Sequence, residues 1–130
     1  MKKVTRIAAG LAATAIVLSG ASAAVAGTAN RSYSTTVGAW NGNGYTSYQD
    51  KAIHGATGFI NSGTVGGGYV VDARMQRGNG DSYTWARNLG DGTGHYLYNN
   101  APSSSVTRVQ FSNDSTTPVD VQVSGSWRSN

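Results

Sequence analysis

The sequence predicts an all-β protein, a single antiparallel β-sandwich of seven or eight short strands behind a cleaved leader. Three observations carry that expectation. Val119, Val121, Val123 and Trp127 share one parity while Asp120, Gln122, Ser124 and Ser126 take the other, the period of two that puts one face of a strand in a core and the other in water. Turn signals built on Gly, Asn and Asp recur at intervals of roughly 8–12 residues, the rhythm of a sandwich or barrel. No helical period survives after the first 26 residues.

Those first residues read as a secretory leader. Lys2, Lys3 and Arg6 form a charged start, Ile7–Leu18 is an uncharged and mostly apolar run, and Ala24-Val25-Ala26 is an A-x-A site. The apolar run is shorter than the ~20 residues a membrane span needs, which disfavours a retained anchor. Cleavage is expected after Ala26, with Ala21-Ser22-Ala23 as an earlier alternative, leaving one domain over residues 27–130. The formal net charge of +4 then falls to +1, because three of the ten basic residues leave with the leader. The high isoelectric point is thus largely the leader's, and nucleic acid is not an expected partner. Cysteine is absent, so sheet packing has to replace the disulfides on which small secreted domains often rely.

In chain order, Ser32–Trp40 alternates as a first strand, with Tyr33, Thr35, Val37 and Ala39 on one side. Asn41–Gly44 is a turn, since Asn and Gly tolerate positive φ, and Tyr45–Gln49 continues as its hairpin partner. Lys51–Ile60 is ambiguous: Ala52, Ile53 and Ala56 fit a short helix, Gly55 and Gly58 oppose one, and Thr57–Ile60 reads as a short strand. Gly63–Gly68 is a loop. Tyr69–Gln76 and Ser82–Leu89 flank the turn Arg77–Asp81 and form the clearest hairpin. After a turn at Gly90–Gly94 come His95–Asn99, the loop Asn100–Ser105, the strand Val106–Ser112, a turn at Asn113–Thr117, and the final strand.

Candidate chemistry is thin. His54 and His95 are the two histidines and Glu is absent; no G-x-S-x-G elbow accompanies them. A pair of Asp could in principle cleave glycosides, yet Asp50, Asp81, Asp91 and Asp114 lie in or beside turns, where Asp is favoured for its backbone hydrogen bonds. Asn79-Gly80-Asp81 and Asp91-Gly92-Thr93-Gly94 carry oxygen ligands beside glycines but match no calcium-loop spacing. No enzyme activity, metal or cofactor is therefore expected. The aromatic residues say more. Tyr33, Trp85, Phe111 and Trp127 fall on core-facing parity. Trp40, Tyr45, Tyr48, Tyr96 and Tyr98 lie near turns or in short strands, where rings with an apolar face and a polar edge can stack on sugars or on a partner; the alternative is that a core poor in Leu and Ile recruits them. Arg87 needs Asp72 as a carboxylate partner if its face is buried, or stacks on Trp85 if the face is open.

The segments Tyr69–Met75 (YVVDARM), Ser82–Leu89 (SYTWARNL) and Phe111–Trp127 (FSNDSTTPVDVQVSGSW) together resemble uncharacterised small secreted proteins of Gram-positive bacteria. In general plan, a leader followed by a cysteine-free, Gly- and aromatic-rich β domain, the chain also resembles lactococcin 972-type bacteriocins. The first resemblance implies no specific activity; the second implies a small secreted β-sandwich acting on the envelopes of other bacteria. The expected function is non-enzymatic binding outside the cell, to a cell-envelope component, a glycan or an extracellular protein, without a stable membrane anchor. A bacteriocin-like antagonist is the second expectation and a hydrolase the third.

Overall fold

Strands form over most of the stretches that alternate in the sequence, though Val119, on the parity expected to be buried, is exposed and precedes the last strand. The computed structural model describes residues 25–130, with side chains from residue 27 onward. The expected leader thus lies outside the described residues except for Val25–Ala26. Among the described residues ten strands follow one another: β1 (Val25–Ala26), β2 (Arg31–Val37), β3 (Asn43–Tyr45), β4 (Gln49–Asp50), β5 (Gly58–Val65), β6 (Val71–Arg77), β7 (Ala86–Leu89), β8 (Thr93–Leu97), β9 (Val106–Asn113) and β10 (Val121–Arg128). Sheet I has the order β1-β4-β9-β6-β7, with β3 also on β9; sheet II has the order β2-β10-β5-β8. All pairings are antiparallel except the short β1–β4 pair. The all-β sandwich expected from the sequence is the fold. No helix among the described residues is long and apolar enough to cross a membrane.

The core lies between the sheets. Val71, Ala73, Met75, Leu89, Val109 and Phe111 come from sheet I, and Tyr33, Val37, Ile60, Val65, Leu97, Val121, Val123 and Trp127 from sheet II. Tyr33 and Phe111 meet across the layers with ring centroids 5.1 Å apart, a separation at which tilted aromatic pairs attract. On β10 the inward parity passes through Gly125. A Cβ there would overlap the carbonyl oxygen of Asn61 and sit 2.9 Å from the Tyr33 hydroxyl, so glycine is required for β5 to bulge past β10 at this point.

Several elements differ from expectation for identifiable reasons. β2 ends at Val37 rather than Trp40, because Trp40 (φ 54) and Asn41 (φ 64) both turn left-handed while their N–H groups donate to Thr117 (2.8 Å) and Asp114 (3.2 Å) carbonyls. β3 does not return along β2 as a hairpin; it crosses to sheet I and pairs with β9. The proposed loop at Gly63 begins inside β5, where Gly63 is the extra residue of the bulge and no short helix precedes it. The β6–β7 hairpin forms as expected but with a register shift: Val71 faces Leu89 while Ala73 faces Ala86. Asn88, at φ 61, absorbs the extra residue. That bulge reverses parity, so Trp85 is not a core residue: Leu89 stays inside, while Trp85 and Arg87 turn to the outer face.

One lysine is buried. Lys51 is 1 % exposed, and its ammonium donates to the carbonyls of Ala56, Ser129 (2.9 Å) and Asn130 (3.2 Å). Burial pushes its pKa down from 10.5 to about 8, whereas burial pushes the Tyr33 phenol up from 10.0 to about 12, against a smaller opposing pull from Ser62. Between about pH 8 and 10 the unfolded chain holds the Lys51 proton more tightly than the folded one, so stability rises with pH. Above pH 10 the unfolded chain loses the Tyr33 proton first, so stability falls. The unfolding free energy from urea titrations is expected to climb from pH 7 to a maximum near pH 10, by on the order of 2 kcal/mol, and then drop; a profile that is flat or falling from pH 8 to 10 contradicts the Lys51 environment.

Candidate functional site

The outer face of sheet I presents the polar parity of three adjacent strands. β6 contributes Asp72, Arg74 and Gln76; β9 contributes Arg108, Gln110 and Ser112; β3 contributes Asn43 and Tyr45. Register aligns them in rows: Gln76 beside Arg108, Arg74 beside Gln110 and Tyr45, and Asp72 beside Ser112 and Asn43. Trp85 and Arg87 close the face from the β7 side. Asn43, Asp72, Arg74, Trp85, Arg87, Gln110 and Ser112, together with Asn41, Asn113, Asp114 and Ser115, line a groove of about 630 Å³, within the size range of ligand clefts; Gln76, Arg108 and Tyr45 lie beside it on the same face.

The side chains at the centre of the groove are held. Asp72 accepts from Arg87 Nη1 (2.7 Å) through one oxygen and from the Asn88 N–H (3.0 Å) through the other. The Arg74 guanidinium lies 4.2 Å from the Trp85 ring centroid and that of Arg87 5.5 Å from it. Both alternatives for Arg87 are therefore realised at once, a carboxylate pair and a cation–π contact. Arg74 Nε donates to Gln110 (2.8 Å), whose amide in turn donates to Asn43 (3.1 Å). Asn113, 1 % exposed, lines the groove from the core side. Its amide nitrogen donates to the Gly38 carbonyl (3.0 Å), while its Oδ1 has no hydrogen-bond partner among the described residues.

The five aromatic residues expected to bind are all exposed, but they do not form one platform. Tyr45 and Tyr48 stand on the sheet I face, where the Arg108 guanidinium lies 3.9 Å and 5.2 Å from their centroids. Their rings orient an arginine rather than stand free. Tyr96 and Tyr98 are on the opposite side, the outer face of sheet II, in a row that runs Arg128, Phe59, Tyr96, Tyr98 with successive separations of 5.2, 5.3 and 6.1 Å. Tyr98 also lines a second cleft of about 560 Å³ with Tyr83, Asn99 and Asn100. Trp40 is exposed in the left-handed turn beside Asn41 and does not line the first groove. Sequence reasoning missed Arg74, Trp85 and Gln110 as site residues. The one available signal was that Asp72 and Arg74 fall on the polar parity of β6.

Two of the turn carboxylates are occupied locally. Asp81 accepts from Arg77 and Asn79, both at 3.2 Å, and Asp91 caps the Val65 N–H at 2.6 Å. His95 contacts Thr93 at 3.1 Å. No group of three or more His, Cys, Asp or Glu is placed to hold a metal among the described residues. The arrangement on sheet I is thus one of fixed hydrogen-bond donors and acceptors around an aromatic ring, suited to binding. No protein-family model, curated protein or solved structure matches the chain.

Proposed function

We propose that this chain is a secreted binding protein that acts without chemistry, taking an extended, hydroxyl-rich ligand of glycan type at the cell envelope or elsewhere outside the cell. The contact is the outer face of sheet I. The observation that carries this reading is the groove around Trp85, whose central polar side chains (Asp72, Arg74, Arg87, Gln110 and Asn43) are held by one another before any ligand arrives. Fixed groups lose little conformational entropy on binding, and preorganisation of this kind raises affinity without new contacts. Flat amides and carboxylates alternating with guanidinium groups suit the alternating hydroxyl donors and acceptors of a sugar chain.

Cosedimentation of the purified protein with insoluble Gram-positive cell-wall material tests it. The protein is expected to pellet with the wall and to be released by soluble wall polymer. Folded protein that stays in the supernatant at every wall concentration, and with other insoluble extracellular polysaccharides, contradicts the proposal.

A further inference from the structure

The sheet I face holds two arginines that have no acidic partner. Arg87 is paired with Asp72 and Arg77 with Asp81 (3.2 Å), whereas Arg74 and Arg108 make no ion pair among the described residues. Each is nevertheless fixed in the same three ways. Its guanidinium lies against an aromatic ring, Trp85 at 4.2 Å or Tyr45 at 3.9 Å. Its Nε donates to a glutamine, Gln110 at 2.8 Å or Gln76 at 3.0 Å. That glutamine is anchored at its other end, Gln110 to Asn43 (3.1 Å) and Gln76 to Ser82 (3.2 Å).

With Nε occupied, the two Nη groups of each arginine are left as donors. This is the edge with which a guanidinium meets an oxyanion. Antiparallel register makes the two arginines diagonal neighbours: Arg74 faces Gln110 and Arg108 faces Gln76. Diagonal positions on such a pair of strands lie about 7–8 Å apart. Two like charges at that distance repel, and a chain that needed only packing here has no use for either. The nearest carboxylate on the same strand, Asp72, already has both oxygens engaged by Arg87 and Asn88.

We propose that Arg74 and Arg108 form an oxyanion site on the outer face of sheet I, which takes the phosphate or carboxylate groups of an anionic envelope polymer. This rests on the reading that sheet I binds an extended glycan-type ligand and specifies the chemical class of that ligand. Tyr45, Tyr48 and Trp85 are positioning residues, holding the guanidinium planes, and the two glutamines select the edge presented.

Binding of the whole protein is measured against poly(glycerol phosphate), polygalacturonate, neutral dextran and a single-stranded oligonucleotide, with Arg74→Gln, Arg108→Gln, Arg108→Lys and Arg77→Gln variants beside the wild type. One of the two anionic polymers is expected to bind in preference to dextran, and the preferred one identifies phosphate or carboxylate as the recognised group. Its affinity is expected to fall at least about tenfold in each Gln variant and partly in Arg108→Lys, which keeps the charge but loses the fork. Arg77→Gln is expected to leave binding intact. Dextran bound as well as the anionic polymers, with the arginine variants unaffected, overturns the oxyanion site and leaves the groove reading standing. Equal loss in Arg77→Gln overturns it as unspecific charge, and preference for the oligonucleotide overturns the envelope polymer as occupant. If none of the polymers binds, both readings fall.

Discussion

Trp127→Ala is expected to cost about 3–5 kcal/mol, the range for truncating a buried large aromatic, and to leave the protein close to unfolding. Trp127 is 1 % exposed and the largest fully buried side chain. It sits on β10, which is flanked by β2 and β5 at the centre of sheet II. Its carbonyl accepts from the Gln49 amide at 2.9 Å, and Gln49 Oε1 accepts from the Ser129 N–H at 2.9 Å, so the same residue anchors a buried polar seam to sheet I. Few neighbours can refill the space, because β10 already uses Gly125 two positions away. Domains of this size have total stabilities of about 5–15 kcal/mol, and this one has no disulfide to hold the sheets together. Urea unfolding measures it: the midpoint of Trp127→Ala falls while the slope stays the same. Trp40→Ala, whose ring is 64 % exposed, is expected to change stability by less than about 0.5 kcal/mol. A Trp127→Ala loss below about 1 kcal/mol contradicts the placement of that ring at the heart of the core.

The contrast between Trp127 and Trp85 shows what the sequence makes legible. Both sit on an alternating parity that reads as inward. For Trp127 the alternation persists to the end of β10, because Gly125 keeps the register of inward positions even as β5 bulges. For Trp85 it does not, because the β7 bulge at Asn88 reverses the faces, and Asn is common enough at ordinary positions that its left-handed φ cannot be read in advance. Local pairings such as the β6–β7 hairpin follow from the turn between them. The site depends instead on β9 lying beside β6, a contact between distant parts of the chain that no local pattern encodes. Without that neighbour, Arg74, Arg108, Gln76 and Gln110 are four solvent-facing polar residues. With it they become two fixed guanidinium groups. Gly63 misled in the opposite direction: in a glycine-rich run, a bulge inside a strand and the start of a loop look alike.

Trp85→Ala is expected to have the largest effect on ligand binding of any single change on the surface. The ring is the one element shared by both arginines of the groove, 4.2 Å from Arg74 and 5.5 Å from Arg87. Its removal frees Arg74 to rotate about its Nε–Gln110 bond and opens the β7 side of the groove. Truncating a central aromatic or arginine contact typically costs about 2 kcal/mol or more, which is roughly thirtyfold in affinity. The fold is not expected to suffer, since Trp85 lies outside the core cluster.

The measurement that bears most directly on sheet I as the contact is a paired cosedimentation isotherm of Trp85→Ala and Tyr96→Ala on cell-wall material. The two residues stand on opposite outer faces of one sandwich, and both variants retain the core. Trp85→Ala is expected to lose about thirtyfold in affinity while Tyr96→Ala binds like the unaltered protein. Loss of binding in Tyr96→Ala with Trp85→Ala unchanged would move the contact to sheet II and contradict the account.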